Sequence, residues 1–172
     1  MPTVSNSTSS SSPEVAGPTS LIPTSTTSAG NTTGAGGACA PAVIALASGI
    51  KANIADQRNE LAAVNVIGDM LAEDPINPVT FAAAKSSLLD FVNKGIAIRQ
   101  NNQQIAPAGN PAIPGLAIVA NAQIEEFNLS SSLTGDLSID TQTVATLKMD
   151  FAGGIEQNTK NLNAVGFLST PS

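Results

Sequence analysis

The groups in this sequence that could move a proton or hold a cation are carboxylates. There are thirteen Asp plus Glu and seven Lys plus Arg, with no histidine, tryptophan or tyrosine and a single cysteine. Without histidine the usual near-neutral acid/base and the commonest metal ligand are missing. Ser-His-Asp and Cys-His nucleophile sites, ordinary zinc sites and His-ligated haem are excluded together. Asp56 with Glu60, and Asp69 with Glu73, stand four residues apart, so each pair shares one face of a helix. With Arg58 beside the first pair, both read as solvated charge on the outside of the first helix. Glu125 and Glu126 are adjacent and point to different sides of a helix, which is wrong for a cooperating acid/base pair. "GDLSID" places Asp136, Ser138 and Asp140 at alternate positions, like the start of a calcium loop. The central glycine and the later glutamate of that loop are missing, and helix capping accounts for Asp140. No phosphate-binding loop, dinucleotide fingerprint or nucleophile elbow is present. These absences point away from an enzyme, and no cofactor or metal is expected.

Two amides stand out once the chain is read for helices. From Val43, apolar positions recur as Ala47, Ile50, Ile54, Leu61, Val64 and Leu71, in alternating steps of four and three interrupted by Gln57 and Gly68. That is a bundle-facing seam, and Gly68 would let a neighbour approach. The fourth helix reads Val144, Leu147, Phe151, Ile155, Asn158, Leu162 and Val165. Gln57 and Asn158 thus fall on apolar seams. Either they form a buried amide pair that fixes helix register, or they anchor a ligand inside an apolar cavity.

The helices carry their own start and stop signals. Pro41 suits the first turn of the first helix, and "EDPINP" ends it by Pro75. Asn77 caps the second, Pro78 opens it, and Ile76 is placed to staple onto Phe81. Its core side reads Phe81, Ala84, Leu88, Phe91, Gly95 and Ile98, and Leu89, Val92 and Ile96 widen the apolar face. This helix is expected to be the most buried of the set, and Leu89, Val92 and Ile96 are candidates to wall a ligand. The third helix is expected from about Leu116, past an irregular turn at Pro114 and Gly115, with a stripe of Leu116, Ala120, Ile124 and Phe127. The fourth is expected to open with Asp140 as N-cap and Ile139 stapled to Val144. Strand alternation and hairpin turns are lacking. The fold expected is all-α, a four-helix up-down bundle over residues 39–168, with room for a short fifth helix in the loop at 102–115.

Residues 1–38 are of another kind, rich in Ser, Thr, Pro and Gly, with Glu14 as their one charge. Such a segment buries too little apolar surface to offset backbone ordering, so a disordered tail is expected there, with a short second one at 169–172. Its composition resembles that of O-glycosylated stalks, and Asn6 and Asn31 sit in N-glycosylation acceptor triplets, as Asn128 does further on. An extracellular or cell-wall glycoprotein is the expectation. Cys39, odd in such a setting, is a candidate for an intermolecular disulfide and hence a dimer. No run reaches the roughly 18 apolar residues of a membrane span. The net charge of −6, with scattered cations and no stacking Trp or Tyr, argues against nucleic acid as partner.

"FAAAKSSLLDFVNKGIAIRQNNQQIAPAGNPAIPGLAIVANAQ", "SLTGD" and "FAGGIEQN" resemble a group of fungal small secreted proteins of unknown activity, across most of residues 39–166. The resemblance brings no catalytic or binding residues with it. In architecture alone, an Ala-rich helical domain beside a Ser/Thr-rich tail is similar to fungal cell-wall mannoproteins and hydrophobic-surface-binding proteins, whose bundles hold lipid or adsorb to apolar surfaces. The function expected is therefore a non-enzymatic structural or interfacial module acting at the cell surface or on apolar surfaces. The competing expectation is a carrier of a lipid-like molecule between its helices.

Overall fold

The computed structural model describes residues 41–166 apart from position 74. They form an all-α four-helix bundle: α1 (Pro41–Leu71), α2 (Pro78–Ile105), α3 (Ile113–Ser132) and α4 (Leu137–Ala164). Each helix packs on two neighbours, α1 on α2 and α4, and α3 on α2 and α4, so α1 faces α3 across the bundle axis. No fifth helix occurs in the 106–112 connection, which is made of turns.

The cap of α2 is as the sequence indicates. Asn77 Oδ1 accepts from Val79 N at 3.0 Å and Thr80 N at 3.2 Å, with proline in the first turn. Ile76 packs on the cluster that contains Phe81. The other starts differ. α3 begins at Ile113, taking Pro114 and Gly115 into its first turn, where a proline lacks nothing because the N–H there has no helical partner. Asn110 Oδ1 accepts from Ala112 N at 2.9 Å, shaping the turn ahead of the helix rather than capping it. Asp136, not Asp140, is the N-cap of α4, accepting from Ser138 N at 2.8 Å. Asp140 lies buried in the first turn and reaches back to Thr134 N at 2.8 Å and Gly135 N at 2.6 Å, tying down the loop. Gly135 has φ of 88°, a conformation that favours glycine. Ile139 points outward, 58% exposed, and staples nothing.

Two apolar clusters occupy the ends of the bundle. One joins Val64, Ile67, Leu71, Phe81, Leu88, Val92, Leu133, Val144, Leu147 and Phe151. The other joins Leu46, Ala47, Ile50, Ile54, Ala112, Leu116 and Val165. A fully buried side chain such as Phe151 or Leu88 contributes roughly 1.5–3 kcal/mol relative to exposure. α1, not α2, is the most buried helix, because α1 also buries the polar residues Asn53, Asp56, Gln57 and Glu60 between the clusters.

A polar layer inside the bundle as candidate functional site

Between the apolar clusters and alongside the second of them, all four helices turn polar side chains inward. α1 supplies Asn53, Asp56, Gln57 and Glu60; α2 supplies Asn102; α3 supplies Gln123, Glu126 and Ser130; α4 supplies Asn158 and Asn161. All are buried to 2% exposure or less. The amide chain is well connected. Asn158 Nδ2 donates to Asn53 Oδ1 at 2.8 Å and to Gln57 Oε1 at 2.9 Å, and Asn53 Nδ2 donates to the backbone carbonyl of Gly95 at 3.1 Å. Asn161 Nδ2 donates to Asn158 Oδ1 at 3.3 Å, and Gln157 Nε2 to Asn161 Oδ1 at 2.9 Å. One line of bonds thus locks α1, α2 and α4 in register. Gln57 and Asn158, singled out as polar positions on apolar seams, are hydrogen-bonded partners here.

The carboxylates are less well provided for. Lys94 Nζ, on a largely exposed side chain, pairs with Asp56 Oδ1 at 2.7 Å, while Asp56 Oδ2 has no partner within the protein. Neither oxygen of Glu60 or of Glu126 has one. Burial pushes the Glu60 carboxyl up to about 9, with repulsion from Glu126 and Asp56 adding to the effect and Lys94 opposing it. Burial likewise raises Glu126, to about 7, and Asp150 and Glu125 repel it further. Arg99 spends its Nε on Gln123 Oε1 at 3.0 Å and its Nη1 on Gln103 Oε1 at 2.9 Å, so it pairs with no carboxylate.

Glycines make room for this layer, one in each helix. Asn102 of α2 fills the place of a Cβ on Gly49 of α1, Gln57 of α1 that on Gly154 of α4, and Asn161 of α4 that on Gly115 of α3. A Cβ on Gly95 of α2 would stand 2.6 Å from Glu60 Oε1 and 3.3 Å from Gln123 Nε2. The arrangement is twofold in both sequence and space. Gly49, Gln57 and Glu60 of α1 recur at identical spacing as Gly115, Gln123 and Glu126 of α3, and Gly95 and Asn102 of α2 recur as Gly154 and Asn161 of α4. The caps Asn77 and Asp136 precede their glycines by the same interval. Exchanging the α1–α2 hairpin for the α3–α4 hairpin maps Asn102 at Gly49 onto Asn161 at Gly115, and Gln57 at Gly154 onto Gln123 at Gly95.

Two sequence expectations fail here for one physical reason. Asp56 and Glu60, expected on the solvated side of α1, are 1% and 0% exposed. On α3 the inner face is Leu116, Val119, Gln123, Glu126 and Ser130, while Ile124 is 60% exposed and Phe127 38%. Assigning the apolar side inward turns α3 the wrong way, because its inner face is half polar. The signal that could have found the layer is the repeated Gly, Gln and Glu spacing of α1 and α3. Asp69 and Glu73 are exposed, as expected.

The ligand-wall candidates do not converge on the amides. Val92 lies in the first apolar cluster with Ile96 packed against it, and Leu89 is half-buried on α2. Recesses lie instead at the end of the bundle that holds the α1–α2 and α3–α4 loops. One of them is lined chiefly by Gly68, Leu71, Leu137, Val144 and Lys148. Gly68 admits side chains rather than backbone: a Cβ there would lie 3.0 Å from Lys148 Nζ and 3.3 Å from Val144 Cγ1. Asn128 is exposed on α3, whereas Asn6, Asn31 and Cys39 lie outside the described residues. Among the described residues no group of three His, Cys, Asp or Glu could hold a metal ion, and no helix is long and apolar enough to cross a membrane.

The chain matches no family model, no curated protein and no solved structure.

Proposed function

We propose that this protein is a non-enzymatic helical module that works by seating the outer side of α3 on an apolar surface, outside the cell or in the cell wall. The observation that carries this reading is the outer stripe of α3. Ile113, Ala117, Ala120, Ile124 and Phe127 follow one another at alternating steps of four and three, and Ile113, Ile124 and Phe127 are 40%, 60% and 38% exposed. The only charged residues of α3 are Glu125 and the buried Glu126. An uncharged, straight apolar stripe on the outside of a bundle is the kind of patch that marks an interaction surface. The glycan acceptors, the Ser/Thr-rich segment and the likeness to fungal small secreted proteins support the location. The absence of histidine supports a role other than catalysis.

The test is adsorption to a hexadecane–water interface, followed by interfacial tension. Replacing Ile124→Glu and Phe127→Glu together removes about 1–2 kcal/mol of apolar contact and should weaken adsorption roughly tenfold or more while leaving the melting temperature nearly unchanged. A variant that folds and adsorbs like the parent would overturn the reading. A second reading, a lipid-like ligand, is favoured only by the recess at Leu71, Leu137 and Val144. It requires a fatty acid to raise the melting temperature, and Leu137→Asp to abolish that rise.

A further inference from the structure

We infer that the polar layer is a proton-held latch: the closed bundle keeps Glu60 and Glu126 as neutral acids, and giving up those protons to solvent loosens the four helices. Six carboxylate oxygens, from Asp56, Glu60, Glu126 and the neighbouring Asp150, have no protein partner, and neither does Asn102 Oδ1; the donor atoms in the same position are Gln57 Nε2, Gln123 Nε2, Asn102 Nδ2 and Ser130 Oγ. An ionised carboxylate only accepts, and no donor meets either oxygen of Glu60 or of Glu126. A proton on each glutamate removes its charge and turns one acceptor into a donor. The two glutamates occupy equivalent positions on facing helices, near enough to repel each other if both are charged.

Nothing nearby neutralises that charge. Glu60 faces Asp56 on its own helix, Lys94 on α2 and Glu126 on α3, and Lys94 is already committed to Asp56. Glu126 faces Glu125 on its own helix and Asp150 on α4, and the guanidinium of Arg99, on α2, is held by Gln123 and Gln103. Relaxation within the layer is blocked by the glycine seats: Glu60 already fills the space a Cβ on Gly95 would take. An unpaired charge in such a place is strongly unfavourable, and opening the bundle to water is the way to relieve it.

The sign is fixed by the direction of the shifts. Both folded carboxyls titrate above their ordinary value of 4.5, Glu126 near 7 and Glu60 near 9. Their contribution to stability is complete below 4.5 and is lost as pH rises through those two values. Each proton released on opening multiplies the open fraction by up to about tenfold per pH unit. The full chain is therefore melted by circular dichroism from pH 4.5 to 9.5 at constant salt, alongside E60Q, E126Q and the double variant. The melting temperature of the parent should fall across this range by roughly 5 °C or more. Glutamine imitates the neutral acid, and below about pH 7 both carboxyls contribute to the fall whereas above it Glu60 alone does. E126Q should therefore roughly halve the lower part of the fall and leave the upper part, E60Q should halve the lower part and remove the upper, and the double variant should melt almost independently of pH. A flat parent profile, or one that keeps its slope in the double variant, overturns the latch. Should the double variant not fold, carbon-13 NMR of the parent's Glu60 and Glu126 carboxyls decides: titration near 4.5 overturns the proposal, and titration well above it upholds it. All of these are read in bulk solution, so they stand apart from the fate of the α3 surface reading.

Discussion

Gln57 of α1 occupies the space that a Cβ on Gly154 of α4 would need, whereas Gly153, one residue earlier, has nothing within 4 Å of such an atom. Adjacent glycines in one helix therefore do different things: Gly154 is a seat for a buried amide, and Gly153 is an unfilled position on the exposed surface.

Gly153→Ala should stabilise the bundle by about 0.5–1 kcal/mol, because alanine is the better helix former and nothing is displaced. Gly154→Ala gains the same propensity but must push Gln57 off its seat and away from Asn158, and should destabilise by about 1–3 kcal/mol. Urea midpoints of the two variants check the contrast, which is one of sign.

The amide line makes a second expectation. Asn158 donates to both Asn53 and Gln57 and accepts from Asn161, so Asn158→Ala leaves three buried amide groups short of a partner. The expected loss is about 2–4 kcal/mol, measured by denaturant unfolding, against less than about 0.5 kcal/mol for Asn163→Ala at an exposed position of the same helix.

How far the sequence discloses this molecule depends on which rule governs each residue. Local rules hold at the start of α2, where Asn77 and Pro78 act within a few residues of chain, and along the seams of α1 and α4, where Val64, Leu71, Leu147 and Phe151 are buried as their spacing indicates. The four-helix fold follows from these. The polar layer escapes because its side chains are seated on glycines of other helices, Glu60 beside Gly95 and Gln57 at Gly154, and such contacts between helices leave no mark in the periodicity of either one. α3 is misread for the same reason: given Ile124 and Glu126, the apolar residue is assigned inward, and the bundle has it outward.

The two aspartates at the start of α4 separate capping from loop anchoring. Asp136 is exposed, and its bonds to Ser138 hold its carboxyl below the ordinary range. That contribution is present at neutral pH and lost as the pH falls through the lowered value. Asp136→Ala should therefore be mildly destabilising at pH 7 and neutral in strong acid. Asp140→Ala strips Thr134 N and Gly135 N of their acceptor in a part-buried loop, and should cost about 2 kcal/mol at pH 7, more than Asp136→Ala. Thermal melts of both variants at pH 7 give the order, and an Asp136→Ala variant that melts like the parent would overturn the N-cap role of Asp136.

Lys94 pairs with Asp56 and acts on Glu60, and its removal tests the electrostatics of the layer without altering any buried atom. In Lys94→Met, Asp56 loses its partner at 2.7 Å while keeping its burial. Because the lysine side chain is 60% exposed, solvent already screens the pair, and the loss expected is about 1–2 kcal/mol rather than the larger figure for a fully buried bridge. The more telling readout is Glu60. Lys94 is the one influence that lowers its carboxyl, so the Glu60 carbon-13 signal should titrate at higher pH in Lys94→Met than in the parent. Glu126 owes its raised value to burial, Asp150 and Glu125, and should scarcely move. Equal displacement of both signals would mean that the two carboxyls sense Lys94 alike, contrary to the geometry of the layer.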